Sequence, residues 1–172
     1  SLRTFNNTAV AIGTSITGNG VTSDESDNGT IVDANGNGNP NEENENDPTP
    51  VTLIPNKPII SVLKEASSLV KNNNGTYTVV YTIKVKNIGE VDITNAQVLD
   101  NLSTTFPSPM EFTVNTVTAS SNLQLNSNYN GANNDSLLNG LDTLALNEDG
   151  SIVITLTLTP NGTYGIFNNT AI

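Results

Sequence analysis

The sequence predicts an all-β protein whose main domain is an antiparallel β-sandwich. Three observations predict it: two long runs alternate apolar and polar residues with period two, turn signals rich in Asn, Gly and Pro separate short apolar runs, and no sustained helical period occurs. In chain order, residues 1–17 read as a strand carrying Phe5, Ala9, Ala11 and Ile16, closed by Thr17-Gly18-Asn19-Gly20. Residues 59–64 form a short strand candidate. Tyr77, Val79, Tyr81, Ile83 and Val85 then alternate with Thr78, Val80, Thr82, Lys84 and Lys86, giving one buried face and one largely wet face. Residues 96–99 and 112–114 are shorter candidates, and residues 135–144 have room for one short turn of helix. Ile152, Ile154, Leu156 and Leu158 alternate with Val153, Thr155, Thr157 and Thr159 in a second long strand. Asn74-Gly75, Ile88-Gly89-Glu90, Pro107-Ser108-Pro109, Asn130-Gly131, Asp149-Gly150 and Asn161-Gly162 supply the turns.

One phrase occurs twice. Phe5-Asn6-Asn7-Thr8-Ala9-Val10 returns as Phe167-Asn168-Asn169-Thr170-Ala171-Ile172. Self-similarity at a fixed offset marks a repeat architecture, so the chain is expected to be one unit of a tandem array within something longer. If residues 167–172 begin the last strand of a sandwich, residues 1–17 are the complete copy of that strand, belonging to the preceding repeat. Three zones follow: 1–17 as that strand, 18–50 as an acidic linker rich in Asn and Gly, and 51–172 as a sandwich repeat lacking its complete final strand. An unpaired sheet edge exposes backbone donors and acceptors, which makes strand sharing between units physically favourable.

Composition narrows the function. Hydrophobic residues make up 35 % of the chain and aromatics 5 %, so the core is built mainly from Val, Ile and Leu. With no Cys, neither disulfides nor thiolate metal sites are available. With no His, the commonest general base and transition-metal ligand is missing, which counts against an enzyme. Net charge is −11, which argues against electrostatic binding to nucleic acid or an anionic membrane surface. No apolar run approaches the ~20 residues of a bilayer span, so no membrane insertion is expected in this segment.

The charge is concentrated. Asp24, Glu25, Asp27, Asp33, Glu42, Glu43, Glu45 and Asp47 share a window without Lys or Arg. These groups repel one another, and ordering the segment costs roughly 1–2 kcal/mol per residue in backbone entropy. Two hexapeptides there have Ca²⁺-loop spacing. Asp33, Asn35 and Asn37 hold positions 1, 3 and 5 with Gly38 at 6; Asp24, Ser26 and Asn28 do the same with Gly29, and Asp27 lies among them. Ca²⁺ takes six to eight oxygen ligands, and a Gly at position 6 lets such a loop close around it. The twelfth position of the loop that starts at Asp33 is Asn44 and not Glu, so Glu42, Glu43 or Asp47 is expected to supply the later ligands. The alternative is a solvated acidic linker.

Residues 81–89, Tyr-Thr-Ile-Lys-Val-Lys-Asn-Ile-Gly, and residues 92–100, Asp-Ile-Thr-Asn-Ala-Gln-Val-Leu-Asp, resemble the DUF11-type bacterial surface repeats, with their "YTITVTNTG…ATNVVVTD" phrase. Residues 138–144, 152–160 and 167–171 fit the remainder of such a repeat, and the acidic zone is similar to inter-repeat linkers of large Bacteroidetes adhesins, those of gliding motility included. The resemblance implies an Ig-like fold, an extracellular, cell-surface location and neighbouring identical repeats as partners, in a fibre or helical array. It also makes relevant the Asp-Ser/Thr-apolar tripeptides at Ser136 and Thr143 as O-glycosylation candidates. A Lys–Asn isopeptide link through Lys64 or Lys84 is chemically open, but no sequence pattern picks out its partner.

The expected function is therefore a structural stalk repeat of a long adhesin or surface filament, stiffened by Ca²⁺ in the linker and joined by strand sharing. Two alternatives are an Ig-like module that binds surface glycans or protein, and a separate filament subunit that assembles by donor-strand exchange.

Overall fold

The computed structural model describes residues 2–172; Ser1, the first residue of the expected strand 1–17, lies outside the described residues. The chain divides into two compact units, the first ending at Pro55 and the second spanning Asn56–Ile172. Pairing is antiparallel throughout and the protein is almost entirely β, consistent with the expected sandwich.

The first unit consists of two two-stranded sheets. β1 (Arg3–Asn7) pairs with β4 (Thr49–Leu53), placing Phe5 opposite Val51. β2 (Val10–Thr14) pairs with β3 (Val21–Glu25), placing Ile12 opposite Ser23. The stretch read as one strand is thus two strands with different partners. The break falls at Ala9, whose N–H donates to Ser26 Oγ at 3.0 Å and whose carbonyl accepts the Ser26 N–H at 2.8 Å. The β2–β3 turn needs Gly18, which sits at φ +73°, a left-handed conformation that glycine adopts without steric cost. Residues 26–48 contain no strand.

The second unit holds β5 (Ile60–Ala66), β6 (Val70–Lys71), β7 (Tyr77–Asn87), β8 (Ile93–Ala96), α1 (Leu102–Thr105), β9 (Glu111–Ala119), β10 (Asp142–Leu144) and β11 (Asp149–Thr159). One sheet runs β5-β7-β11-β9, with β6 also on β7, while β8 and β10 form a smaller pair. Both long period-two runs appear as expected. Val79, Tyr81, Ile83 and Val85 of β7 and Ile152, Ile154, Leu156 and Leu158 of β11 turn one face into the core. There they meet Val98, Leu102, Phe106, Leu137, Leu138 and Leu144. Fully burying such a side chain contributes roughly 1.5–3 kcal/mol, so these alternating faces dominate the fold's stability. Near the end of β7, Asn87 Nδ2 donates to the carbonyls of Val91 and Leu144 at 2.8 and 3.0 Å, and Asn87 Oδ1 accepts the Gly89 N–H at 2.9 Å. A Cβ on Gly89 would lie 2.5 Å from the Lys57 carbonyl, so the turn admits only glycine without displacement.

The helical turn falls elsewhere than expected. Residues 135–144 are extended and end in β10, because Leu137, Leu138, Asp142 and Leu144 are all buried. The helix is α1, capped by Asn101, whose side chain accepts the Thr104 N–H at 3.0 Å. Residues 167–172 form no strand, yet Ile172 and Leu99 exchange both backbone hydrogen bonds, at 2.7 and 3.0 Å. Ala171 is buried, and Phe167 packs on Phe106 with ring centroids 5.8 Å apart.

Candidate functional site

In the first unit, among the described residues, one side chain is buried, and it is a carboxylate: Glu45, 4 % exposed. Its Oε1 accepts the backbone N–H groups of Ala34 at 2.8 Å and Asn35 at 3.2 Å. Its Oε2 is buried without a partner, as is Asp24 Oδ1. Both residues line one cavity of about 140 Å³, together with Glu25, Ser26, Asp27 and the apolar Ile31 and Val32. Asn46, with its amide oriented to satisfy both ends, donates to the carbonyls of Glu45 at 3.0 Å and Glu25 at 3.2 Å, tying the two walls together.

The loop of Asp33, Asn35 and Asn37 behaves differently. Asp33 Oδ1 accepts the N–H groups of Gly36 (2.7 Å) and Asn37 (3.2 Å), and Oδ2 accepts that of Gly38 (2.8 Å). Glu42 receives three side-chain amides, from Asn37 and Asn39 on Oε1 and from Asn35 on Oε2, each at 3.0 Å. These donors, Asn37 first, hold the Glu42 carboxyl below the usual carboxylate range, against desolvation and the Asp33 charge. The loop therefore satisfies its carboxylates with amide N–H groups.

Of the expected ligands, Asp24, Ser26 and Asp27 share the cavity; Asp33, Asn35, Asn37 and Glu42 share the amide-satisfied loop; and Asn28, Glu43 and Asp47 are exposed. Glu45 was not singled out by the sequence. Among the described residues no group of three or more carboxylates is arranged to hold a metal ion. A site at the cavity would thus rest on two inward carboxylates and on Ser and backbone oxygens, a donor chemistry suited to a hard cation such as Ca²⁺. The two orphan oxygens are the observation that fits it, since a buried unpaired charge is costly. Of the glycosylation candidates, Thr143 is exposed between buried Asp142 and Leu144, and Ser136 is partly covered in a bridge to Leu99.

The second unit gathers another polar cluster. Lys64 Nζ donates to Asp100 Oδ2 at 2.6 Å, with the two side chains only 8 % and 0 % exposed. The Lys64 Nζ lies 4.6 Å from the centroid of the Tyr81 ring. Burial, opposed by the pairing itself, pushes the Asp100 carboxyl up and the Lys64 ammonium down. Asn169 completes the group. Its Oδ1 accepts from Thr105 Oγ1 at 3.0 Å, and its amide lies near enough to Asp100 to help hold that carboxyl's pKa down. It does not reach hydrogen-bond geometry there: Asn169 Nδ2 and Asp100 Oδ1 are both buried without a partner.

Comparison with known proteins finds no matching family model, and no significant match among curated proteins or solved structures.

Proposed function

We propose that this chain is a structural stalk repeat of a long extracellular adhesin or cell-surface filament, an Ig-like sandwich preceded by a unit that Ca²⁺ stiffens. The observation that carries this reading is the contrast between the two copies of the repeated phrase. At residues 167–172 the phrase is docked, with Phe167 against Phe106 and Ala171 7 % exposed. At residues 5–10 the same two positions are bare: Phe5 is 51 % exposed and Ala9 is exposed, while the last residue of the phrase is exposed in both copies. Equal sequences have equal reason to bury, so the first copy is matched to a sandwich of the same kind contributed by another repeat. Ile12 and Val21 of the β2–β3 pair and Val51 and Leu53 of β4 are exposed as well.

Calcium supplies the stiffening. A cation between Asp24 and Glu45 offsets the charge that the first unit buries, and its binding free energy becomes folding free energy for the segment. The same exposed phrase serves a second reading, a separate subunit that donates the strand between chains. The two differ in whether the peptide bond is continuous, and the mass of the native protein distinguishes them.

The test is thermal melting of two joined repeats in Ca²⁺ and in EGTA, with their end-to-end distance followed by small-angle scattering. A rise in the melting temperature and a longer, narrower distance distribution in Ca²⁺ are expected. An unchanged transition and an unchanged distance would overturn the calcium-stiffened stalk.

A further inference from the structure

We propose that Lys64 and Asn169 are the two ends of an intramolecular amide bond that this domain forms in itself, with Asp100 moving the protons. The inference goes beyond the stalk reading and does not rest on calcium. It rests on four features of one cluster. Lys64 Nζ is buried and hydrogen-bonded to Asp100 Oδ2 at 2.6 Å. Lys64 and Asn169 line a single cavity of about 200 Å³, with Tyr81 and Phe167 as its aromatic walls. Asn169 Nδ2, the group that would leave, is buried and bonded to nothing, and Asp100 Oδ1, the oxygen not engaged by Lys64, is equally free. Thr105 Oγ1 donates to Asn169 Oδ1 at 3.0 Å, where it polarises the carbonyl toward attack and meets the oxyanion that would form.

The surroundings hold the electrophile in place. Three residues beyond Asn169, Ile172 is pinned to Leu99 by reciprocal backbone bonds, and two residues before it Phe167 packs on Phe106. Such fixed proximity replaces a bimolecular encounter by an intramolecular one. Burial shifts the pair toward its neutral form, because it raises the carboxyl and lowers the ammonium.

The step balances without any co-reactant. Asp100 takes one proton from the Lys64 ammonium, leaving a neutral amine and a carboxylic acid. Nζ attacks Asn169 Cγ; Asp100 then relays a proton from Nζ to Nδ2, the Cγ–Nδ2 bond breaks and ammonia leaves. One amide replaces another, and nothing is oxidised or reduced. The reaction occurs once per chain, a self-modification and not turnover. Lys84, the other lysine raised by the sequence, is exposed on β7 and has no such setting.

The bond would join β5, the first strand of the unit, to its terminal segment. A pull on the two ends would then run through the bond and bypass the strands between them, which is the property a stalk needs.

The test is intact-mass spectrometry of the full folded chain, followed by tryptic mapping. The expected mass is about 17 Da (one ammonia) below that of the unmodified sequence. The peptide following Lys86 is expected to be joined to the one containing Lys64. Asn169→Ala and Lys64→Met are each expected to restore the full mass, and Asp100→Ala to leave most chains unlinked. A folded parent protein at full mass would overturn the proposal, whatever the variants do. So would a loss of the same size that persists in Lys64→Met, since succinimide formation at an Asn-Gly pair also releases ammonia.

Discussion

In the second unit Asp100 is fully buried, and a lysine from the same unit stands 2.6 Å from it. In the first unit Glu45 is buried almost as deeply, and the acidic run around it contains no lysine or arginine. One carboxylate is supplied with its cation by the fold; the other holds two backbone N–H groups on one oxygen and nothing on the second. Each carboxylate leaves one oxygen without a partner, so the difference between them is the cation: the second unit carries its own, and under the proposed calcium reading the first takes one from solution. The second unit is expected to keep its stability in any buffer, and the first only where a hard cation is present.

The most damaging way to test the comparison is to make the second unit resemble the first. Lys64→Met leaves Asp100 buried and unpaired, a loss of roughly 3–5 kcal/mol. It also removes any link to Asn169, and a cross-link closing a loop of about 105 residues is worth roughly 4–5 kcal/mol in the chain-entropy model. Both effects act through one residue and do not simply add. Denaturant unfolding followed at β7 and β11 should show a drop of several kcal/mol. Lys64→Met combined with Asp100→Leu should recover the charge contribution and leave the cross-link contribution lost. A single variant as stable as the parent would mean that the lysine neither pairs nor links.

The converse change relieves the first unit. Glu45→Gln keeps an oxygen for Ala34 and Asn35 while removing the buried charge. The first unit of the variant is expected to lose its response to Ca²⁺, and in EGTA to be more stable than the parent by about 1–3 kcal/mol. Amide exchange of residues 31–46 across a calcium titration reads both, with the second unit as internal control. A Ca²⁺ response equal to the parent's would remove Glu45 from the site.

The sandwich was legible because its signal is local. Tyr77–Asn87 and Asp149–Thr159 alternate along their whole length, and the observed burial follows that alternation. The functional clusters depend on which distant residues converge, and composition carries no trace of that. Glu45 sits in a run of acidic and amide residues whose members look interchangeable in sequence; only the chain path turns this one inward. Lys64, Asp100 and Asn169 come from a strand, a loop after a strand and the terminal segment, so no spacing rule relates them. The same limit explains the misplaced helix: residues 135–144 have adequate helix formers, but Leu137 and Leu138 are both buried in an extended path. Asn101 before Leu102 was the available cap signal, within a run too short to show a period.

A smaller change separates the two halves of the acidic loop. Asp33→Ala removes the acceptor of three backbone N–H groups in an exposed loop, an effect of about 1 kcal/mol. Protection at Gly36, Asn37 and Gly38 should fall while calcium affinity stays where it was, because Asp33 does not line the cavity of Asp24 and Glu45. A loss of calcium binding would return the ion to the loop that the sequence spacing favoured.

The mildest probe is acid, because Glu42 of the first unit and Asp100 of the second carry pKa shifts of opposite sign, although Glu148 beside β11 is also held low, by the Ala145 N–H and then Asn122. Glu42 is held below the ordinary carboxylate value of 4.5, chiefly by Asn37 and then by Asn39 and Asn35. A depressed folded pKa contributes stability that is complete above that ordinary value and is lost as pH falls through the lowered one. Asp100 is pushed up by burial, so its contribution is greatest at low pH and declines as pH rises through its raised folded value. Acidification below 4.5 should therefore loosen residues 35–42 while the sheet of the second unit holds its protection. Amide exchange at Asn35, Asn37 and Asn39 against Ile83 and Ile154, taken stepwise down in pH, measures it directly. Loss of both regions at the same pH would show that the carboxylates of Glu42 and Asp100 respond alike, and that the burial of Asp100 sets nothing apart.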